Sequence, residues 1–138
     1  METLLEKGLQ NLMCYQEEKI KMTIQELENK YYFHDSMITN VLFDSNSQKL
    51  VFTIEFCNWA QEFYKAGEPE LLRMELIFNG IKDYDGITGN IDYFSILDGN
   101  VINGKYHLFI EDDFHQEFYE YYLQPTDVDV KITGVIED

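Results

Sequence analysis

Three adjacent side chains, His34, Asp35 and Ser36, carry the groups of an acid–base–nucleophile triad. Their spacing argues against that chemistry, because successive side chains on a strand point to opposite faces of the sheet. A working triad is assembled from distant positions that the fold brings together. We therefore predict a structural role, in which His34 hydrogen-bonds a neighbouring strand while Asp35 and Ser36 close a turn.

A second set of polar groups has the chemistry of a cation site. If their segment is a strand, Asp113, His115 and Glu117 share one face, and Glu111 lies near them across a turn at Asp112. Carboxylates with one imidazole suit a hard or borderline divalent ion. The ligand spacings of zinc sites are absent, and a solvated acidic edge that resists strand pairing accounts for the same residues. We predict no metal and no other cofactor, and keep Asp113, His115 and Glu117 as weak candidates.

The tripeptide of Cys57, Asn58 and Trp59 is the most unusual in the chain. A lone tryptophan near a strand end is more often a core anchor than a ligand platform. No basic residue stands close to Cys57 in the sequence to activate its thiol. We predict a structural role for the tripeptide, and a ligand surface made by Trp59, Phe63 and Tyr64 stays as the alternative.

The first thirty residues have the period of a helix. Apolar side chains recur there every three or four residues, and Thr3–Glu6 and Thr23–Glu26 both match a capping box. Two such starts predict two helices with a break near residues 21–23. The residues of the apolar stripe are Leu5, Leu9, Leu12, Ile20, Ile24 and Leu27.

From Tyr31 onward the hydrophobic period changes to two, which is typical of strands. The predicted strands cover residues 37–43, 49–57, 70–78, 105–111, 114–123 and 127–132. The stretch 114–123 also fits helical spacing, and short helical turns are predicted at 59–65 and 91–97. In the last strand Val128, Val130 and Ile132 face inward, and Asp127, Asp129 and Lys131 face water.

These elements predict an α+β fold with two parts. Residues 1–30 form a helical arm, and residues 31–138 form a mainly antiparallel β domain, either a sandwich or a strongly curved sheet. The apolar stripe of the arm needs covering, so it packs on its own sheet or on another subunit. A homodimer is left open on that ground.

Two segments carry a resemblance to a known group. Residues 31–36 read Tyr-Tyr-Phe-His-Asp-Ser, and residues 56–59 read Phe-Cys-Asn-Trp. Over roughly residues 24 to 134 the chain resembles small acidic proteins of unknown function from Firmicutes, which share a Phe-His-Asp-Ser opening, a strand meander and an acidic C-terminal hairpin. The resemblance implies a fold and no activity. Its motif residues are Phe33, His34, Asp35, Ser36, Cys57, Asn58 and Trp59.

Charge excludes several classes of partner. The chain of 138 residues has 26 acids and 10 bases, a formal net charge of -16. Phosphate recognition needs a basic surface, so we predict no nucleic-acid partner and no anionic-membrane partner. No secretory leader or membrane-spanning run is recognisable, and two cysteines are most simply reduced thiols. These features predict a cytoplasmic protein.

The functional prediction follows from where the charge lies. Residues 83–138 hold thirteen acids against Lys105 and Lys131. Such a field speeds encounter with a cationic partner, which predicts a non-enzymatic interaction protein for a basic protein. An immunity-type inhibitor of a basic toxin is one form of this function, since the chain is similar to immunity proteins in size and charge. Solubility alone explains the same charge.

The alternative function is a small-ligand or metal-binding protein, or an enzyme. It would use either the His34 and Asp35 neighbourhood or the neighbourhood of Asp113, His115 and Glu117. For the interaction protein, we predict docking on the acidic hairpin and the final strand, where tyrosines add contact area between carboxylates. The predicted docking residues are Glu111, Asp112, Asp113, Glu117, Tyr119, Glu120, Tyr121, Asp127 and Asp129.

Overall fold

Alternating apolar and polar residues build a single antiparallel sheet. The computed structural model describes residues 19–136. Eight strands lie in the order β1-β8-β4-β3-β2-β5-β6-β7, so β1 and β7 are its two edges. The elements are β1 (Lys19–Met22), α1 (Ile24–Lys30), β2 (Met37–Asp44), β3 (Lys49–Cys57), a 3-10 turn (Asn58–Ala60), β4 (Leu71–Asn79), β5 (Gly89–Ile102), β6 (Lys105–Asp112), β7 (Glu117–Leu123) and β8 (Asp127–Ile136).

The core lies on one face of the sheet. In β3 every second residue from Leu50 to Phe56 is buried, as the period of two predicts. The same alternation buries one face of β4 and of β6, and the buried side chains of α1 and β8 join one cluster with them. The antiparallel sheet predicted from the period is therefore confirmed, with helix limited to the seven residues of α1 in the described range.

A short connection shows that the sheet is strongly curved. Strands β7 and β8 are six strand spacings apart in the sheet order, which is about 29 Å on a flat sheet at about 4.8 Å each. Residues 124–126 join them, and four Cα steps reach only about 14 Å. The sheet must therefore curl, bringing β7 towards β8. It stays unclosed in the described residues, because β7 pairs with β6 alone.

The predicted arm is correct in one part and wrong in another. Thr23 caps α1 through both bonds of a capping box with Glu26, as the sequence indicates. Residues 19–22, which the helical stripe includes, form β1 instead. Ile20 and Met22 pack toward the core while Lys19 and Lys21 lie on the other face, which is a strand period. The box at Thr3–Glu6 and the rest of the arm lie outside the described residues.

Three further predictions are corrected. Residues 91–97 lie within β5 and not in a helical turn, and register shifts near Asn40 and Asp98 interrupt the period there. The strand predicted over 114–123 begins at Glu117, because residues 113–116 form the preceding turn, which Gln116 completes at a φ of 56°. Helical structure predicted over 59–65 is limited to the turn Asn58–Ala60.

Candidate functional site

The His-Asp-Ser segment forms a tight turn tied to two strands. Ser36 N–H donates to Phe33 O at 2.9 Å, and Asp35 takes a φ of 69° inside the turn. Ile96 N–H donates to Ser36 O at 2.8 Å, which joins the turn to β5. The Ser36 hydroxyl accepts the N–H of Cys57 at 3.1 Å and is fully buried. These bonds give Ser36 a structural partner on β3 and on β5.

The His34 ring has a partner of its own. Its Nδ1 lies 2.8 Å from Leu97 O, and because a carbonyl oxygen only accepts, Nδ1 carries the proton. Its Nε2 lies 3.4 Å from Asp35 Oδ1 at the surface. The imidazole and the Ser36 hydroxyl are therefore directed at different parts of the backbone.

The Cys-Asn-Trp segment divides into a buried half and an exposed half. Burial raises the pKa of the Cys57 thiol, which donates weakly to Asp35 O. Asn58 is buried and donates to Pro69 O at 2.8 Å. Trp59 is 53% exposed, so the expectation of a core anchor is wrong. Phe63 is also exposed, and it packs edge-on against Tyr31.

Gln61 links the backbone at Tyr32 to the backbone at Cys57, and we did not predict this role from the sequence. Gln61 Nε2 donates to Tyr32 O at 2.6 Å and to Cys57 O at 2.9 Å, while its Oε1 accepts the N–H of Tyr32. It lines an open groove of about 750 Å³ between α1 and residues 60–63. No pattern in the sequence distinguishes this glutamine from a surface one.

The three weak metal candidates have separate partners. Asp113 accepts the hydroxyl of Ser95 at 2.6 Å, Glu117 accepts the hydroxyl of Tyr119 at 3.0 Å, and His115 bonds Asp112. Within residues 19–136, no three His, Cys, Asp or Glu side chains are grouped so as to hold a metal ion. The same range contains no helix long and apolar enough to cross a membrane.

Asp112, which we predicted in the docking surface, is buried and closes the hairpin turn. Its Oδ1 accepts the N–H groups of Phe114 and His115, both at 3.1 Å, and its Oδ2 lies 2.8 Å from His115 Nδ1. Burial alone would raise the pKa of Asp112. The hydrogen bonds from His115 and Phe114 outweigh burial and lower it. Asp112 is thus a turn-capping residue.

Asp127 and Asp129 are also engaged within the chain, against the prediction that both face water. Asn79 Nδ2 donates to Asp127 at 2.7 Å and to Asp129 at 2.9 Å. Lys21 Nζ lies 3.1 Å from Asp127 and 3.3 Å from Asp129. Asp129 is only 3% exposed. The physical reason is β1, whose register puts Lys21 opposite Asp129.

Tyr119 and Tyr121 face the core side of β7 and are only half-exposed. Tyr119 stacks on Phe94 with ring centroids 5.8 Å apart, and Tyr121 lies 5.6 Å from the ring of Tyr84. The Tyr121 hydroxyl accepts the N–H of Ile87 at 3.0 Å. Both tyrosines were predicted in the docking surface, and this packing corrects that prediction.

The opposite side of β6 and β7 presents aromatic rings and carboxylates to solvent. Phe118 is 57% exposed and Tyr122 is 50% exposed. The Phe109 ring lies 5.7 Å from Phe118, and the His107 ring lies 4.8 Å from Tyr122. We call this surface the outer face. Its residues are His107, Phe109, Glu111, Phe118, Glu120 and Tyr122.

A histidine holds one carboxylate of the outer face in place. His107 is buried between rings, with Nδ1 3.0 Å from Asn100 Oδ1 and Nε2 3.0 Å from Glu120 Oε2. The Tyr122 hydroxyl donates to the other oxygen of Glu120 at 3.3 Å. Glu120 is therefore oriented by two neighbours while its side chain stays half-exposed.

Of the nine predicted docking residues, five carboxylates remain exposed or half-exposed: Glu111, Asp113, Glu117, Glu120 and Asp127. Of these, Asp127 is bonded to Asn79 and Lys21. Residues 89–123, which build this wing of the sheet, contain seven carboxylates and a single lysine, Lys105. Phe118 and Tyr122, which form the most exposed part of the outer face, were missed. The alternation of β7 puts Phe118 and Tyr122 on the side opposite Tyr119, Tyr121 and Leu123, but the sequence does not show which side is buried.

Comparisons with known proteins add no further constraint: no family model, curated protein or solved structure matches this chain. The resemblance carried by the Phe-His-Asp-Ser and Phe-Cys-Asn-Trp segments stays a prediction.

Proposed function

We propose that this chain is a non-enzymatic interaction protein that binds a basic protein through the outer face of β6 and β7. The observation that carries the proposal is the pair Phe118 and Tyr122, which stay exposed on a strand that offers core packing on its other side. Exposed rings on one face, bordered by polar groups, are typical of binding surfaces. Aromatic residues also supply much of the binding energy in protein interfaces.

Charge supports a basic partner over a neutral one. The wing of residues 89–123 has seven carboxylates against one lysine, and exposed charges act over about 8 Å at physiological salt. Glu111 and Glu120 lie on the outer face itself, so they accelerate the approach of a cationic surface and repel an anionic one. A basic toxin or nuclease fits this chemistry, and the inhibitor of such a protein is the specific form of the function that we propose.

The geometry gives less support to the alternative function, a small-ligand or metal-binding protein or an enzyme. Its groups at His34 and Asp35 hold a turn, and those at Asp113, His115 and Glu117 have separate hydrogen-bond partners. A specific observation that favours a reaction at either place is missing from the described residues.

The test compares two variants with the same change in charge. One carries Glu111→Gln, Asp113→Asn and Glu120→Gln at or beside the outer face. The matched control carries Glu62→Gln, Glu70→Gln and Asp83→Asn, three exposed carboxylates elsewhere. Each full-length protein is immobilised and used to capture proteins from its native cell over a series of salt concentrations.

We expect the unchanged protein and the control to retain the same basic protein, and retention to fall as salt rises. The outer-face variant should retain much less. A third variant, Phe118→Ser with Tyr122→Ser, should lose retention even at low salt, because it keeps the charge and removes contact area. Equal loss in the outer-face variant and in the control would refute the assignment of this surface. Capture of no basic protein would refute the function.

A further inference from the structure

We infer that β7 binds an extended basic segment of the partner as an added strand of the sheet. This inference rests on the proposed function and names how the partner is recognised. Strand β7 has seven residues, Glu117–Leu123, and is the last strand in the sheet order. In residues 19–136 its only pairing is with β6. Along an edge strand, N–H and C=O groups that point away from the sheet have no strand partner.

The residues of β7 determine what kind of strand fits. Glu120 stands in the middle of β7, and Phe118 and Tyr122 lie two residues to either side on the same face. A residue directly across from Glu120 on an added strand would have its Cβ about 5 Å away. A lysine or arginine there is favoured, and apolar residues two positions to either side would cover Phe118 and Tyr122. The matching segment is therefore alternating, with a central basic residue.

Two other segments could in principle pair with the β7 edge, namely β7 of a second copy and residues 1–18 of this chain, and charge disfavours both. In an antiparallel pairing of β7 with a second copy centred on Glu120, Glu120 would face Glu120, and like charges directly opposite are unfavourable. Residues 1–18 of this chain contain four acids and one lysine, so their net charge has the wrong sign. His107 and Tyr122 hold Glu120 in position on the outer face.

The probe is the peptide Lys-Val-Thr-Arg-Thr-Val-Lys, acetylated and amidated, added to the full-length protein. Two N-methylated versions accompany it, one methylated at its second, fourth and sixth residues and one at its third and fifth. On an added strand alternate N–H groups point to the neighbour. One N-methylated peptide should therefore bind like the parent and the other should fail to bind.

Backbone hydrogen exchange supplies an independent readout. On addition of the parent peptide, we expect slower exchange at alternate amides of β7 and unchanged exchange in the opposite edge, β1. Replacing the peptide arginine by alanine should weaken binding roughly two- to fivefold. A peptide with glutamate in place of arginine should bind a Glu120→Lys variant better than the unchanged protein.

The failures of the two proposals are distinguishable. If both N-methylated peptides bind equally, or the β7 amides exchange as before, the partner contacts side chains alone and strand addition is refuted. Absence of peptide binding while salt-dependent capture through the outer face persists also refutes strand addition, and the proposed function stands. Loss of that capture while the peptide still protects β7 refutes the proposed function alone.

Discussion

The two edges of the sheet differ in whether their carboxylates are bonded to a lysine. At β1, which is four residues long, Lys21 reaches Asp127 and Asp129 of the neighbouring strand, and Asn79 completes the group. At β7 the exposed carboxylates have no lysine or arginine within bonding distance in the described residues. The acids at the β1 edge are therefore paired with a lysine, and the exposed acids at the β7 edge are not.

This difference shows why a net charge does not locate a binding surface. Asp129 and Glu120 count equally toward the total of -16, yet Asp129 is buried in a network and Glu120 is half-exposed beside two aromatic rings. A buried carboxylate paired with a lysine contributes to folding, whereas an exposed carboxylate without a lysine or arginine partner contributes to the field that a partner meets. The first and third of the four predictions below test the folding role of paired carboxylates, and the second and fourth compare the buried and exposed sides of the wing that carries β7.

The largest expected effect is at the β1 edge. Asp129→Ala removes the buried acceptor of Asn79 and Lys21, and we expect the free energy of unfolding to fall by about 2 kcal/mol. Glu111→Ala on the outer face is the matched control and should change it by less than about 0.5 kcal/mol. Urea unfolding measures both. Equal effects would contradict the division between the two edges.

The second prediction concerns the inner side of the wing that carries β7. A methyl group on Gly99 would overlap the hydroxyl of Tyr106, which is fully buried. Gly99→Ala should therefore lower the free energy of unfolding by about 1–2 kcal/mol through overpacking. Adding Tyr106→Phe should restore most of it, since the Tyr106 hydroxyl has no hydrogen-bond partner in the described residues. If the change in the free energy of unfolding of the double variant equals the sum for the two single variants, the methyl group and the hydroxyl do not compete for space.

The third prediction uses pH to compare the edges. The pKa of Asp127 is lowered by the hydrogen bond from Asn79 and then by Lys21, and the pKa of Asp112 is lowered by its hydrogen bonds despite burial. A lowered folded-state pKa adds stability above the unfolded value of about 3.9, and that stability is lost as pH falls through the folded value.

Unfolding by urea at several pH values between about 6 and 2 measures this loss. We expect Asp127→Asn and Asp112→Asn each to make the free energy of unfolding fall less steeply as the pH is lowered. Added salt should reduce the Asp127 contribution more, because two donors to Asp112 are uncharged backbone N–H groups. If the free energy of unfolding of each variant falls with pH as steeply as that of the unchanged protein, these bonds are not what lowers the two pKa values.

The smallest expected effect on stability is at the outer face. Phe118→Ser with Tyr122→Ser should lower the free energy of unfolding by about 1 kcal/mol at most, because both rings are half-exposed or more and only their contacts with Phe109 and His107 are lost. The same variant should bind less of a hydrophobic dye and, as proposed above, lose its partner. A loss of several kcal/mol would mean that these rings are part of the fold and not a docking surface.

Local patterns predicted much of the fold. The alternation in β3, β4, β6 and β8 predicted strands, and Thr23 with Glu26 predicted the start of α1. Strand β1 was missed because four residues are too short to establish a period inside a stretch with helical spacing. Strand β5 was missed in part because its register shifts interrupt the period.

The candidate site was predicted less well, for reasons that are not local. The position of Asp129 depends on pairing with β1, which is distant in the sequence. The faces of β7 depend on its register with β6, where Tyr119 stands opposite Ile110 and Glu120 opposite Phe109. Rings fill both sides of β7, so hydrophobicity alone could not tell which side was buried.

The pairing of β1 with β8 has a consequence for the order in which the protein is made. Lys19 pairs with Lys131, a separation of 131 - 19 = 112 residues. During synthesis β1 leaves the ribosome early, and among residues 19–136 it has no strand to pair with until β8 follows it. Closing so long a loop makes this contact slow to form. Until then Lys21 has neither Asp127 nor Asp129 to bind, so the nascent chain carries Lys19 and Lys21 without the acids that pair with them in the finished protein.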